Sequence, residues 1–568
     1  LSDEDIRWVE ETIGGMTLEE KVGQLFIGNA TPGSDQMNLD LVEKYHIGGT
    51  RYNPASARAV YALNSFMQEN SKVPLLIASN IEAGGNGCCM EGTLVAPGVQ
   101  CGATNDPAVA YDMGYVGAVE SAAIGCNWCF APVMDIAYNW RNTVIQTRAF
   151  GDTPDTVIAH GKQFLKAVNE HGIAACMKHF PGDGVDERDQ HVVTSHNTMT
   201  PEAWDASFGR VYKEMIDAGV QSIMIGHIGL PEYSRRLAPG IKDHDIYPAT
   251  LAREITTGLL REQLGFNGLA ITDASPMLGL TAAMAREQLV PATIAAGCDM
   301  FLFFWDAEED FAFMLNGVKT GIITGERLSE ALHRILGVKA ALQLHKKQAE
   351  GTLMPPIAGL DVIGCDRHRE LARKAAELGC TLVKDTAGHL PIRPETHPRV
   401  RLIVVEAMSP LAHARTSISG FVKEELEAAG FAVDLQTPFA ERVKGESRAD
   451  AIREIMKRDR TKAFEARYDA VFLIINHHGF AQQAAERLRW PTPMASEAPW
   501  YVHNVPTVAI SMHLPNHLID IPMVKTYINT YAPTRDAFRI ALDKIMGNSS
   551  FKGAYSENVF CDAWDTRL

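Results

Sequence analysis

The feature that most constrains this chain is a rhythm. In its first half, short apolar runs alternate with segments of helical period. The runs are KVGQLFIG (21–28), IGGTRY (47–52), PLLIASN (74–80), CNWCFAPVMD (126–135), AACMKHF (174–180), SIMIGHI (222–228), LAITDA (269–274) and DMFLFF (299–304). Near-continuous apolar stretches of this length are the mark of parallel strands buried on both faces. Helical patterns such as ARAVYALNSFMQENSK, PAVAYDMGYVGAVESAAIG and LAREITTGLLREQLG lie between them. Eight strand–helix units predict a TIM-type (β/α)8 barrel over residues 1–345.

A second pattern follows. HRELARKAAELG reads as an amphipathic helix. RLIVVEA (401–407), FAVDL (431–435), DAVFLIIN (469–476), VPTVAISM (505–512) and KTYINTY (525–531) read as strands, with FVKEELEAAG and AFRIALDKIMG as helices. Strands and helices in this alternation predict an open α/β layer, an αβα sandwich over 369–568. The stretch LHKKQAEGTLMPPIAGLD (344–361) is polar and then Pro/Gly-bearing, which suits a linker over 346–368.

Charge narrows the function. Acidic residues outnumber basic ones 69 to 53, a net charge of −16. Nucleic acids and anionic membranes both attract basic surfaces, so neither is an expected partner. A neutral ligand such as a sugar is compatible with this balance. No apolar run approaches the length of a membrane span. The opening LSDEDIRWVEETIGGM lacks the basic start and apolar core of a signal peptide. Ten cysteines are scattered, several in apolar runs, as buried thiols are in a reducing compartment. A cytoplasmic location is therefore expected. Cys126-x-x-Cys129 has no second ligand pair at zinc-finger spacing, so neither metal nor cofactor is expected. GGNG (84–87) lacks the Lys-Ser/Thr of a phosphate loop and reads as a turn.

In a parallel barrel the active site lies at the carboxyl ends of the strands. The polar residues ending the predicted strands are Asn80 and Glu82, Asp135, Lys178 and His179, His227, and Asp273. Asp273, at the end of a buried run, can serve as a nucleophile on an anomeric carbon. An aspartate there also commonly caps the next helix. In KHFPGDGVDERDQH (178–191), Asp189 and His191 stand two apart and share a side in extended chain. The carboxylate can then orient the imidazole for proton transfer. By spacing alone, a solvated acidic loop is the plainer reading of this segment.

KHFPGDG with Asp189-x-His191 resembles the KHFPGHG…D-S-H signature of glycoside hydrolase family 3, in its β-N-acetylglucosaminidase branch. FAPVMD (130–135), VIQTRAFG (144–151) and YPATL…LREQLGFNGLAITDASPM (247–277) are similar to further blocks of that family in the same order. ELARKAAELGCTLVKD (370–385) resembles the start of its second domain. The resemblance implies a retaining exo-β-glycosidase with Asp273 as nucleophile and His191, paired with Asp189, as acid/base. It implies that Arg148, Lys178 and His179 bind hydroxyls of the terminal sugar, with Asn80, His227 and Met277 also lining the site. The expected activity is β-N-acetylhexosaminidase on a short oligosaccharide or glycoconjugate. The alternatives are a β-glucosidase, a glycoside phosphorylase and, least favoured, a non-catalytic sugar-binding protein. A homodimer is an open option.

The chain departs from the pattern in three places. The family's D-x-E-G-G reads Asn80-Ile81-Glu82-Ala83-Gly84-Gly85. GGNGCCMEG replaces the branch's GGRVQR. Asp183 stands where the branch has histidine. These changes bear on the identity of the sugar more than on the reaction.

Overall fold

A computed structural model describes residues 1–406, 417–457, 459–477, 487–488, 490 and 498–568. The chain divides into two compact units. One comprises Leu1–Gly98 and Asp106–Ala372, and the other Val99–Asn105 and Arg373–Leu568.

The first unit is a closed barrel of eight parallel strands. They are β1 (Phe26–Ala30), β2 (Gly49–Tyr52), β3 (Leu76–Ser79), β4 (Trp128–Cys129), β5 (Ala174–Phe180), β6 (Ser222–Ile225), β7 (Leu269–Ala274) and β8 (Met300–Leu302). Each strand pairs with its neighbours in sequence, and β8 closes on β1 through Phe26↔Phe301. All seven residues of β5 are buried, and so are the first five of β7. Barrel strands face side-chain layers inside and helices outside, so their apolar runs are uninterrupted.

Two expected strands shift. KVGQL does not open β1. Thr17 Oγ1 accepts from the Glu20 N–H and the Thr17 N–H donates to the Glu20 carboxylate, a capping box that starts the helix Leu18–Gly23. The fourth run pairs as a strand only at Trp128–Cys129. Beyond it, Val133 bridges Lys178 and the Met134 N–H donates to Lys178 O at 2.7 Å, so the extended chain still tracks β5. The segment expected as an α-helix before β7 is wound more widely, as a π-helix over Glu254–Gln263.

The second unit holds a six-stranded sheet. Its strands are β9 (Thr381–Asp385), β10 (Arg399–Glu406), β11 (Ala432–Leu435), β12 (Ala470–Asn476), β13 (Thr507–Ser511) and β14 (Thr526–Asn529). The order is β9-β14-β13-β12-β10-β11, parallel except for the antiparallel edge strand β9. Apolar clusters cover both faces, one around Phe472 and Ile510 and the other around Leu473 and Ala509. Alternate residues of one strand feed opposite layers. This is the doubly wound sandwich expected. Ala407, the last residue of the RLIVVEA run, lies outside the described residues.

All ten cysteines are free thiols. No helix of the described residues is long and apolar enough to cross a membrane.

Candidate active site

Closing the barrel brings its strand tips to one mouth. Three small networks of side chains are built there, each tying together residues remote in sequence.

The first surrounds Glu82, just past β3. Its carboxylate takes two parallel bonds from Arg148, Nε to Oε2 and Nη2 to Oε1, both 2.8 Å, and lies 2.5 Å from Lys178 Nζ. Burial would raise the Glu82 pKa. The two cations outweigh it and hold the carboxyl well below the usual carboxylate range. Arg148 loses by burial and gains more from Glu82, which holds its guanidinium firmly charged. A bidentate pair of this kind fixes both planes.

The second centres on Asp135, beyond β4. Its Oδ2 lies 2.6 Å from His179 Nδ1, and its Oδ1 accepts from the Asp183 N–H at 2.7 Å and the His179 N–H at 3.2 Å. The carboxylate next to Nδ1 assigns the proton there, so Nε2 is the acceptor, 3.5 Å from Arg148 Nη2. Asp183 Oδ1 accepts from Asn142 Nδ2 at 2.9 Å and from the Gly184 N–H. Its Oδ2 is buried without a hydrogen-bond partner. Burial, reinforced by the negative charge of Asp135, pushes the Asp183 carboxyl up to about 7.

The third joins the loop after β5 to the turn after β7. His191 Nδ1 lies 2.7 Å from Asp189 Oδ1, which also accepts the His191 N–H at 2.8 Å. The Leu278 N–H donates to His191 O at 3.1 Å, and the Gly279 N–H to Gln190 O at 3.0 Å. The Gln190 side chain accepts from the His227 N–H at 2.7 Å. The loop is thereby pinned to the segment that follows Asp273.

Asp273 sits at the end of β7, 8 % exposed, and its Oδ1 accepts the Ala274 N–H at 2.7 Å. Burial pushes its carboxyl up, but His179, His227 and His191 together with the Ala274 N–H outweigh that and hold it below the ordinary range. Three imidazoles therefore act on one carboxylate. That arrangement can keep a nucleophile ionised while an imidazole beside it carries a transferable proton.

The remaining expected residues take different positions. His227 is fully buried, and both ring nitrogens are engaged. Nδ1 accepts from Thr250 Oγ1 at 2.9 Å, and Nε2 donates to Ala274 O at 3.0 Å. Burial drives its pKa down. The ring thereby ties Thr250 to the turn that follows Asp273. Met277 is buried, and its N–H closes the turn on Ala274 O at 3.1 Å. Asn80 follows β3 directly, and its carbonyl is so close to Gly87 that a Cβ there would fall 1.5 Å from the oxygen.

Gln190 and Thr250 were not singled out in the sequence. Gln190 lies between two residues that were, and Thr250 belongs to the YPATL block, but nothing in their spacing reveals a partner 37 or 23 residues away. Among the described residues no group of three or more His, Cys, Asp or Glu side chains is arranged to hold a metal ion.

Known proteins resemble the chain across both units. Residues 17–338 match the family described as glycosyl hydrolase family 3 N terminal domain. A β-N-acetylglucosaminidase/β-glucosidase from Cellulomonas fimi is 40% identical over 570 residues, covering 100% of this chain and 98% of that protein. A β-hexosaminidase from Vibrio cholerae is 31% identical over 244 residues, 42% of this chain and 69% of that protein. Among solved structures, the β-glucoside phosphorylase BglX superposes with a TM-score of 0.91 at 34% identity, covering 100% of this chain and 98% of that one. A family 3 β-N-acetylglucosaminidase from Paenibacillus sp. shares the fold, with a TM-score of 0.77 at 24% identity, covering 95% of this chain and 98% of that one. The barrel, its mouth and these likenesses agree: the chain belongs to glycoside hydrolase family 3.

Proposed function

We propose that this enzyme is a retaining exo-β-glycosidase acting on a terminal β-N-acetylglucosaminide or β-glucoside of a short oligosaccharide or glycoconjugate. The observation that carries the reading is the loop holding Asp189 and His191, bonded through Leu278 and Gly279 to the turn that follows Asp273. In the first step Asp273 attacks C1 of the sugar and the C1–oxygen bond to the aglycone breaks. The departing oxygen takes the Nε2 proton of His191. In the second step water gives a proton to His191 Nε2 and attacks C1, which frees Asp273 and restores the β configuration. Asp189 holds the imidazole by its Nδ1 and stabilises its charged form. Arg148 and Lys178, oriented by Glu82, face the sugar hydroxyls as donors, and His179 Nε2 faces them as an acceptor. We assign His227 to support of the Asp273 turn rather than to the sugar.

The double activity in the name of the C. fimi relative supports both sugars. The scan of nitrophenyl glycosides is the separating measurement, and activity on the glucoside alone rejects the N-acetyl reading. A second reading is phosphorolysis, favoured by the likeness to BglX and by the nature of the acid/base, since an imidazole repels an anionic acceptor less than a carboxylate does. Release of sugar 1-phosphate that scales with added phosphate identifies it.

His191→Ala is expected to lose about 10²–10⁴-fold with poor leaving groups and much less with nitrophenol-like ones, which leave without a proton. Equal losses for both rule His191 out as the acid. The free, mostly buried thiols also support a reducing compartment, the cytoplasm.

A further inference from the structure

The loop after β3 that carries Glu82 also carries two adjacent cysteines. It is folded tightly on itself. Gly84 bridges Leu94, the Val95 N–H donates to Ala83 O at 2.8 Å, and the Asn86 N–H to Thr93 O at 3.3 Å. Two further bonds flank the cysteines, from the Cys88 N–H to Gly85 O at 2.9 Å and from the Gly92 N–H to Cys89 O at 3.2 Å. The turn is packed without slack. A Cβ on Gly87 would fall 1.5 Å from Asn80 O, and one on Gly85 would fall 1.7 Å from Glu120 Oε2. A shift at residues 88 and 89 therefore reaches Asn80 through Gly87, and Glu82 along the chain through Ala83, whose carbonyl Val95 and Ala96 hold.

Inside this turn Cys88 Sγ lies 3.8 Å from Cys89 Sγ and donates to it. Both thiols are buried, while their chain neighbours Asn86 and Glu91 are exposed and Met90 is 76% exposed. Neither thiol has a part in the glycosidase chemistry above.

We propose that Cys88 and Cys89 are a redox modification site, closed by a peroxide to a disulfide between neighbouring residues that loosens the sugar-facing loop. The sulfurs need to approach by about 1.8 Å, since a disulfide bond is about 2.05 Å long. The hydrogen bond from Cys88 favours the thiolate of Cys89 and lowers its pKa, and Cys88 is correspondingly raised. Cys89 sulfur attacks a peroxide oxygen, the O–O bond breaks, and the leaving hydroxide takes up the thiol proton as water. Cys88 sulfur then displaces the hydroxyl of the Cys89 sulfenic acid, and its own proton leaves with that oxygen as a second water. Two thiols are oxidised by two electrons and one peroxide is reduced to two waters. Adjacent Cα atoms stand about 3.8 Å apart, closer than in ordinary bridges, and strained bridges are the easily reduced, regulatory ones.

Endoproteinase Glu-C cuts after Glu82 and Glu91 and releases residues 83–91, which hold both cysteines and no other. After hydrogen peroxide the wild-type peptide is expected lighter by two hydrogen atoms, and dithiothreitol restores it. Phenylarsine oxide, which bridges paired thiols, is expected to block the change. KM is expected to rise about tenfold on oxidation, the effect of a 1.4 kcal/mol loss of binding, and to recover on reduction. The Cys89→Ser variant keeps its activity and loses the response. The KM effect rests on the reading of Glu82 as a sugar anchor, whereas the mass change does not, so the two failures are distinguishable. A bridge to Cys126 or Cys101, accumulation of sulfinic acid at Cys89, or a wild-type peptide unchanged by peroxide overturns the proposal. A disulfide formed with KM unchanged overturns its loosening of the loop.

Discussion

Asp273 and Asp299 stand at opposite ends of adjacent barrel strands, and their surroundings differ completely. Asp299 immediately precedes β8 at the floor of the barrel and is wholly buried. Its carboxylate accepts from Arg261 Nη2 at 2.6 Å, from the Ala270 N–H at 2.9 Å, from Arg334 Nη1 at 3.3 Å and from Arg327 Nη2. Asp273 ends β7 at the mouth, accepts the N–H of its own neighbour, and faces three imidazoles. One acid is saturated with donors and serves as a tie between helices and strand. The other is held by a backbone bond and by charge, which leaves a carboxylate able to change partners. Strand direction sorts the two roles, because only the carboxyl end opens to the loops that recognise a ligand.

The comparison breaks most visibly at Asp273. Asp273→Asn is expected to lower kcat roughly 10⁴-fold, abolish covalent labelling by a fluorinated glycoside, and leave Tm close to wild type. Labelling that survives the substitution removes Asp273 as the nucleophile. Asp299→Asn is expected to do the opposite. It removes the charge shared by three part-buried guanidinium groups, of which Arg327 and Arg334 keep Glu330 beside them, and costs about 3 kcal/mol of stability in denaturant unfolding. The enzyme that remains folded keeps its kcat. A kinetic defect from Asp299→Asn at unchanged stability erases the distinction between mouth and floor.

Two buried titratable groups sharpen it further. Lys339 is fully buried, Nζ 2.7 Å from Gln24 Oε1, and burial pushes its pKa down to about 7. Between about pH 7 and the ordinary lysine value of 10.5 the unfolded chain binds this proton and the folded chain does not. Lys339 therefore makes stability rise with pH across that window. Lys339→Met removes the rise and is expected to add about 2 kcal/mol at pH 7 in chemical unfolding. Asp183 at the mouth has the reverse sign. Its carboxyl is raised from 3.8 to about 7, so the folded chain binds the extra proton between those values. Stability then falls as pH rises through that window and levels off above it. Asp183→Asn is expected to flatten this decline, by about 1 kcal/mol between pH 5 and 8, read as a smaller difference in Tm. A decline that persists in Asp183→Asn assigns it to other groups.

Much of this was legible in the chain. The apolar runs reach all eight barrel strands and, in the second unit, β10 to β14, because residues buried on two faces must be apolar at every position. The tips were legible as polar residues that end such runs, because the carboxyl ends of parallel strands share one mouth. The beginning of β1 was misread because its apolar letters continue upstream into a helix, and only the Thr17–Glu20 capping box marks the boundary. Edge strand β9 does not stand out in the sequence, since three of its five residues are polar and it follows closely on the helix HRELARKAAELG. His227 was legible as the polar end of an apolar run, but its bonds to Thr250 and the Ala274 carbonyl were not, since neither is near it in sequence.

The sequence by itself determined the number and order of barrel strands and the family of residues at their carboxyl ends, because periodic burial is a local property written in residue type. It offered the Asp189–His191 pair as one of two readings, and the folded loop bonds both His191 nitrogens, backbone N–H and Nδ1, to one Asp189 oxygen. Tertiary structure alone decided which charges meet. Glu82 takes Arg148 from 66 residues away and Lys178 from another strand, and Asp135 takes His179 from 44 residues away. Such pairings depend on barrel closure and on the register of neighbouring strands, which set distances between segments that spacing along the chain does not encode.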